Sequence, residues 1–222
     1  MDVLFFLKER IGFIRQFYCG AVVPFDEQIR RIEAGEDPYV PPYSEDEEPP
    51  FLAEWVQADE SRDALGHACV SMLAASLKLF LEIHDRPREM KCLASFKKTL
   101  QGRGWFHAYR ECFDKALSIN WSESPADLLL LKEIVLTRNK VQHPESIHTL
   151  GAKLSPRDVK ILQKRVIFID PDYDMSLVDL EGGEFAWIFA PNVRVTKESL
   201  FKACDEVELF CMWLESKIKG ES

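Results

Sequence analysis

The chain has 222 residues, 46% of them hydrophobic and 29% charged, with 15 Phe and 5 Trp. That is enough apolar material for a sizeable core in one domain, at an ordinary charge content. A net charge of −9 excludes a protein that coats nucleic acid by bulk positive charge, so any RNA contact must come from a local basic patch.

From the N-terminus, Val3, Phe6, Leu7, Ile11, Ile14 and Phe17 recur at helical spacing. Pro24 is expected to interrupt this helix, leaving Asp26 to Ala34 as a second, charged piece. The opening apolar run is too short for a secretory leader. No stretch approaches the ~18 apolar residues of a membrane span, so the expectation is a cytoplasmic protein without a membrane partner. Gly35 to Pro50 holds five prolines and the acids Glu36, Asp37, Glu45, Asp46, Glu47 and Glu48. Residues 36–50 therefore read as an acidic, Pro-rich loop, either a solvated linker or a phosphate mimic that covers a basic site.

Phe51 to His84 is the longest helical candidate, with Leu65, Ala68, Cys69, Met72, Ala75, Ser76, Leu79, Phe80 and Ile83 on one broad stripe. Arg86-Pro87-Arg88 ends it and opens the most basic segment, which continues through Lys91, Lys97, Lys98 and Arg103. Trp105 to Ile119 is helical again. Ser124-Pro125 supplies a side-chain cap and a first-turn proline for the next helix, whose core face carries Leu128, Leu131, Ile134, Val135 and Leu136. That helix stops before Pro144. Ser155-Pro156 opens a short helix toward Lys164. The pattern then turns β-prone at Val166–Ile169, Ser176–Leu180 and Glu184–Ala190, with Gly182-Gly183 as a hairpin turn. Thr196 caps a closing helix to Lys219 that buries Leu200, Cys204, Val207, Phe210, Cys211 and Leu214. The fold class expected is all-α: a single domain over 1–222, a bundle of four or five helices, with a small β-hairpin insertion at 165–195 before the last helix.

The six cysteines (Cys19, Cys69, Cys92, Cys112, Cys204, Cys211) are scattered, with no Cys-x-x-Cys pair. Buried, reduced thiols are expected, and nothing in the spacing asks for a disulfide. No His/Cys/Asp/Glu group has metal-ligand spacing, and no phosphate loop or Gly-x-Ser-x-Gly elbow is present.

The stretch with the most chemistry is Thr137-Arg138-Asn139-Lys140-Val141-Gln142-His143-Pro144, at a helix end. Arginine is a permanent cation whose fork of donors fits a phosphate, and an imidazole exchanges protons near neutral pH. An RNA phosphodiester can be cut by its own 2′-hydroxyl if one group takes that proton, another protonates the leaving 5′-oxygen, and positive charge steadies the phosphorus centre. Arg138 suits the last task, Asn139 can orient a neighbour, and His143 can act as acid or base. One imidazole does not easily make both transfers at once, whereas two copies of the chain supply two. The bland alternative is a helix end whose Arg138 complements the dipole and whose Asn139 terminates the helix. His148 reads as a loop residue, and His67, His84 and His107 as packed or surface residues.

Arg138-Asn139-x-x-x-His143 resembles the Arg-x(4–6)-His motif of the HEPN superfamily, in which the residue after the arginine is often Asn. The resemblance covers the motif and the helical layout of roughly residues 51–218. It implies an all-α bundle and a metal-independent endoribonuclease that needs no cofactor and leaves a 2′,3′-cyclic phosphate. It also implies an active site between the two protomers of a homodimer, RNA as substrate, and toxin–antitoxin or antiviral-defence biology with an antitoxin or other regulatory protein as partner. Arg138, Asn139 and His143 occupy the motif positions. The acidic loop and the β insertion match no hallmark of that family. The alternative is a non-catalytic helical module that binds RNA or a partner protein, with the acidic loop as its recognition element.

Overall fold

The computed structural model describes residues 2–41, 49–95, 104–143, 151–179 and 190–220. Helix α1 (Val3–Ala34) is capped by Asp2, whose carboxylate accepts from the Phe5 amide at 3.0 Å, and ends at Gly35 in the left-handed conformation. It runs unbroken through Pro24, against the sequence expectation. Proline removes one N–H and crowds the carbonyl four residues back. Here Pro24 lies on the exposed side, and the carbonyl in question belongs to Gly20, where nothing lies within 4 Å of the missing side chain. Buried Tyr18, Val22 and Ile29 hold both halves against the bundle.

Helix α2 (Leu52–Asp85) is the central rod, buried by α1, α5 and α7. Its buried positions include Leu65, Cys69, Val70, Leu73, Leu77, Phe80 and Leu81, so the core face is turned from the expected stripe: Ala68, Ala75 and Leu79 are exposed. By length and by the apolar composition of one 18-residue stretch within it, Leu52–Arg88 passes for a membrane span, which the sequence reading did not anticipate. Of that stretch 61% is buried inside the protein, as the middle helix of a bundle requires.

After α2 come a one-turn 3₁₀ helix (Arg86–Arg88), the short α3 (Cys92–Ser95) and α4 (Gly104–Leu117). Cys92 and Cys112 form a disulfide between α3 and α4, with Cα atoms 5.4 Å apart. This corrects the expectation of reduced thiols throughout. The two residues are 20 apart in sequence, and only tertiary packing brings them together. Cys19, Cys69, Cys204 and Cys211 are free. Alkylation of the unfolded chain should therefore label four thiols without reductant and all six with it; six labels in both arms would remove the bridge.

Helix α5 (Leu128–Gln142) starts later than its Ser124-Pro125 signal predicts. Asp127 is the cap, accepting from the amides of Leu129 (2.9 Å) and Leu130 (3.3 Å), while Ser124 accepts from Ala126 in the preceding turn. Helix α6 (Pro156–Ile161) opens with a capping box between Ser155 and Asp158. Helix α7 (Lys197–Lys219), capped by Thr196, buries its six expected core residues completely.

Cross-helix contacts fix the directions. Lys8 pairs with Glu208, Arg15 with Asp205, and the Tyr18 hydroxyl donates to the Val195 carbonyl, so α1 and α7 are antiparallel. Gly66 meets Val195 near the start of α7, and His84 feels Glu215 near its end, so α7 runs parallel to α2. The all-α class stands, but no hairpin is found among the described residues. Among the described residues Val166–Ile169 pairs through one isolated bridge, Ile169 to Val193. Ser176–Leu180 was expected to be a strand, and Met175–Asp179 is instead a 3₁₀ helix, started by the Asp174 carboxylate accepting from the Ser176 amide at 2.9 Å. Gly182, Gly183 and residues 184–189 lie outside the described residues, as do residues 42–48 of the acidic loop.

Candidate functional site

The Arg-Asn-His stretch sits on the last turn of α5. That helix forms because Leu130, Leu131, Ile134 and Val135 bury one face against α2 and α7, while Asp127 satisfies its first amides. The buried face also carries two polar residues, Glu133 and Thr137, each with no exposed surface. Arg138, one residue beyond buried Thr137, is half-buried.

Arg138 Nη1 donates to Asn139 Oδ1 at 3.0 Å, so the guanidinium folds back over the neighbouring amide rather than extending into solvent. Asn139 in turn accepts the backbone N–H of His143 on its carbonyl at 3.0 Å. His143 is the C-cap, at φ −127° and ψ 69°, and its side chain is exposed. Asn139 thus touches both neighbours, Arg138 through its side chain and His143 through the ordinary helical backbone bond, and the His143 imidazole takes part in neither contact. No hydrogen bond joins Arg138 to His143 directly among the described residues. Pro144 and His148 lie outside them.

A second pair of cations was missed by the sequence reading. Lys132 stands about two and three helical turns before the site, at i−7 from Asn139 and i−11 from His143, on their side of α5. Burial lowers the Lys132 pKa, and the nearby Arg110 guanidinium on α4 lowers it further. Neither makes an ion pair among the described residues. A partly buried lysine without a carboxylate partner is suited to an anion. The signal was present as the spacing Lys132, Asn139, His143, but nothing local pointed to α4. By contrast Lys140 is occupied, 3.5 Å from Asp158 of α6.

The remaining expectations resolve simply. His67 Nε2 lies 3.1 Å from the Val193 carbonyl, and the His84 ring packs edge-on against Phe80 at 4.6 Å; both are buried. His107 lies beside Glu111 on α4 at 3.7 Å. In the basic segment, Arg86 pairs with Glu82 and Arg88 donates to the His84 carbonyl, so both serve the end of α2; Lys97, Lys98 and Arg103 lie outside the described residues. Among the described residues no cluster of His, Cys, Asp or Glu could hold a metal ion.

Glu133 is the other group the sequence did not mark. Its Oε1 accepts from the amides of Ile167 and Phe168, both at 2.8 Å, while Oε2 has no partner. One turn on, the Thr137 hydroxyl also lacks a partner. Burial pushes the Glu133 carboxyl up to about 7, against the pull of the two amides. This group fastens Ile167 and Phe168 to α5, while the next residue, Ile169, bridges to Val193.

No family model, curated protein or solved structure matches this chain.

Proposed function

We propose that this protein is a metal-independent endoribonuclease of the HEPN type, acting in the cytoplasm, with the last turn of α5 as its phosphodiester-binding end. The observation that carries the proposal is the gathering of Arg138 and His143 around Asn139 at an exposed helix end. Lys132, in helical register with Asn139 and His143, adds positive charge to α5, which offsets the repulsion between a −9 chain and RNA.

In this scheme Lys132 and Arg110 hold flanking phosphates, and Arg138 holds the non-bridging oxygens of the scissile one. The 2′-oxygen attacks phosphorus as an imidazole takes its proton. The bond to the 5′-oxygen breaks as a second imidazole returns a proton to it, giving a 2′,3′-cyclic phosphate and a free 5′-hydroxyl. Each chain supplies one His143, so the second falls to another copy in a homodimer. A regulatory protein partner would act by covering the α5 end.

Purified protein should cut single-stranded RNA in excess EDTA. Arg138→Ala and His143→Ala should each lower the rate by on the order of 100-fold or more, the scale of a lost acid–base or oxyanion-stabilising group. Cleavage unchanged in either variant, or stopped by chelation of the wild type, would refute the scheme. RNA or protein binding that persists in both variants without any cutting by the wild type would assign the non-catalytic module instead.

A further inference from the structure

Helix α1 carries an apolar stripe that the bundle does not use. Phe6, Phe13 and Phe17 are 52%, 58% and 39% exposed, and the Phe13 and Phe17 rings stack at 5.9 Å. Their spacing of seven and four residues places them on one side of the helix, away from buried Leu7, Ile11, Ile14 and Tyr18. Beside the stripe runs an open groove of about 530 Å³ between α1 and α2, with Met72 and the exposed Leu79 on the far wall. Single exposed apolar residues are ordinary, but a contiguous stripe along a groove marks a contact surface.

The charges in this groove narrow down its occupant. Glu9 and Arg10 line it between Phe6 and Phe13. Arg10 Nε donates to Ser76 Oγ at 3.2 Å, but neither Glu9 nor Arg10 makes an ion pair among the described residues. One acid and one base side by side, flanked symmetrically by two phenylalanines, form a pattern that complements its own reverse. We propose that this face binds a second copy of the chain, α1 against α1, antiparallel, about a two-fold axis between Glu9 and Arg10. The register that sets Glu9 opposite Arg10 also sets Phe6 opposite Phe13, and does so twice, as an isologous contact requires. Phe13 and Phe6 then enter the groove walled by Met72 and Leu79. A surface recognising anionic lipid or nucleic acid would need an excess of base, and this groove is balanced.

This interface goes beyond the nuclease proposal and does not rest on it. Glu133 reaches residues 167 and 168, Arg194 donates its N–H to the Phe168 carbonyl, and its side chain pairs with Asp59 near the start of α2. The start of α5 lies farther along, where the Asp127 amide donates to Glu206 midway down α7, so the C-terminal end of α5 points toward the first turns of α2. Phe6 and Leu7 instead lie along Leu79, Phe80 and Ile83 at the other end. Pairing through α1 leaves the α5 ends open, so the contact that brings two His143 together is a separate one, assembled on RNA, and the RNA-free chain pairs through α1 alone.

Sedimentation of the full chain is the test. The wild type should be a dimer, and Phe13→Asp, at an exposed site, should be a folded monomer by circular dichroism. Glu9→Arg and Arg10→Glu should each weaken the dimer by about tenfold or more, and the double swap should restore it to within a few-fold, because each copy then offers the same pair reversed. Arg138→Ala and His143→Ala should leave the dimer intact, so the two proposals fail in separate assays. A wild type that stays monomeric at about 100 µM, where a micromolar complex would be assembled, overturns the proposal. A monomer that instead co-sediments with phosphatidylcholine vesicles overturns it too and gives the face to a lipid surface. A dimer that survives Phe13→Asp places the contact elsewhere, and failure of the double swap to restore rejects the two-fold register.

Discussion

Replacing Glu133 by alanine should destabilise the protein by about 3 kcal/mol or more, the largest loss expected from any single polar side chain here. The reason is the number of groups left without partners. The amides of Ile167 and Phe168 both rely on Glu133 Oε1, and Phe168 is fully buried. An orphaned buried donor costs about 1–3 kcal/mol, and the lost side chain also leaves a cavity in a packed interior. Glu133→Gln should behave differently. It keeps an oxygen for the two amides, and its new N–H₂ lies one helical turn from the unpartnered Thr137 hydroxyl.

The same pair of variants reads out the buried charge. Burial raises the folded carboxyl to about 7, whereas the unfolded chain titrates near 4.5. Between those values the folded protein holds a proton that the unfolded chain has released. Folding stability must then fall as pH rises from about 4.5 to about 7, and level off above it. The gap corresponds to about 3 kcal/mol. Glutamine carries no such proton. Urea unfolding of wild type and Glu133→Gln across this range should show the wild type losing ground by that amount, with the glutamine variant's other groups cancelling in the difference. A difference that stays flat with pH would mean that Glu133 ionises in the fold as freely as in water.

Periodicity alone located most of the helices, for a physical reason. The core residues of α7 repeat at 3.6-residue spacing and all six are buried, and Thr196 and Ser155 cap where their side chains allow. What escaped was decided by contacts distant in sequence. Strand-like residues at Val166–Ile169 say nothing of a carboxylate 34 positions earlier that takes their amides. The rotation of the α2 face follows from having neighbours on three sides, which blurs any single stripe. Pro24 is a helix breaker only where its ring or the freed carbonyl is confined, and exposure removes both conditions. At the α5 end the sequence placed Arg138, Asn139 and His143 where a helix stops, and α5 does stop at Gln142 with His143 as its C-cap, because a helix end is set by local residues. It could not name Arg110, which only packing brings toward Lys132.

Glycine supplies the second large effect, with opposite signs at three positions. All three sit inside long helices, where alanine is preferred to glycine by about 1 kcal/mol. At Gly66 an added Cβ would lie 2.7 Å from Val195 Cβ and 2.9 Å from the Val195 carbonyl oxygen. The second of these is backbone, and it belongs to the strap that accepts the Tyr18 hydroxyl and leads directly into Thr196, the cap of α7. Moving it would disturb the contact of α1, α2 and α7 at once. Overpacking of this kind costs about 1–3 kcal/mol and more where backbone must shift, so Gly66→Ala should be destabilising by about 2 kcal/mol despite the helical gain. At Gly12 and Gly20 nothing lies within 4 Å, and the same substitution should stabilise by up to about 1 kcal/mol each. Thermal unfolding of the three single variants separates propensity from packing: Gly66→Ala should melt below the wild type, the other two at or above it. If Gly66→Ala melted with Gly12→Ala, the close approach of α2 to Val195 would not exist in solution, and the parallel arrangement of α7 on α2 would lose a contact that aligns it.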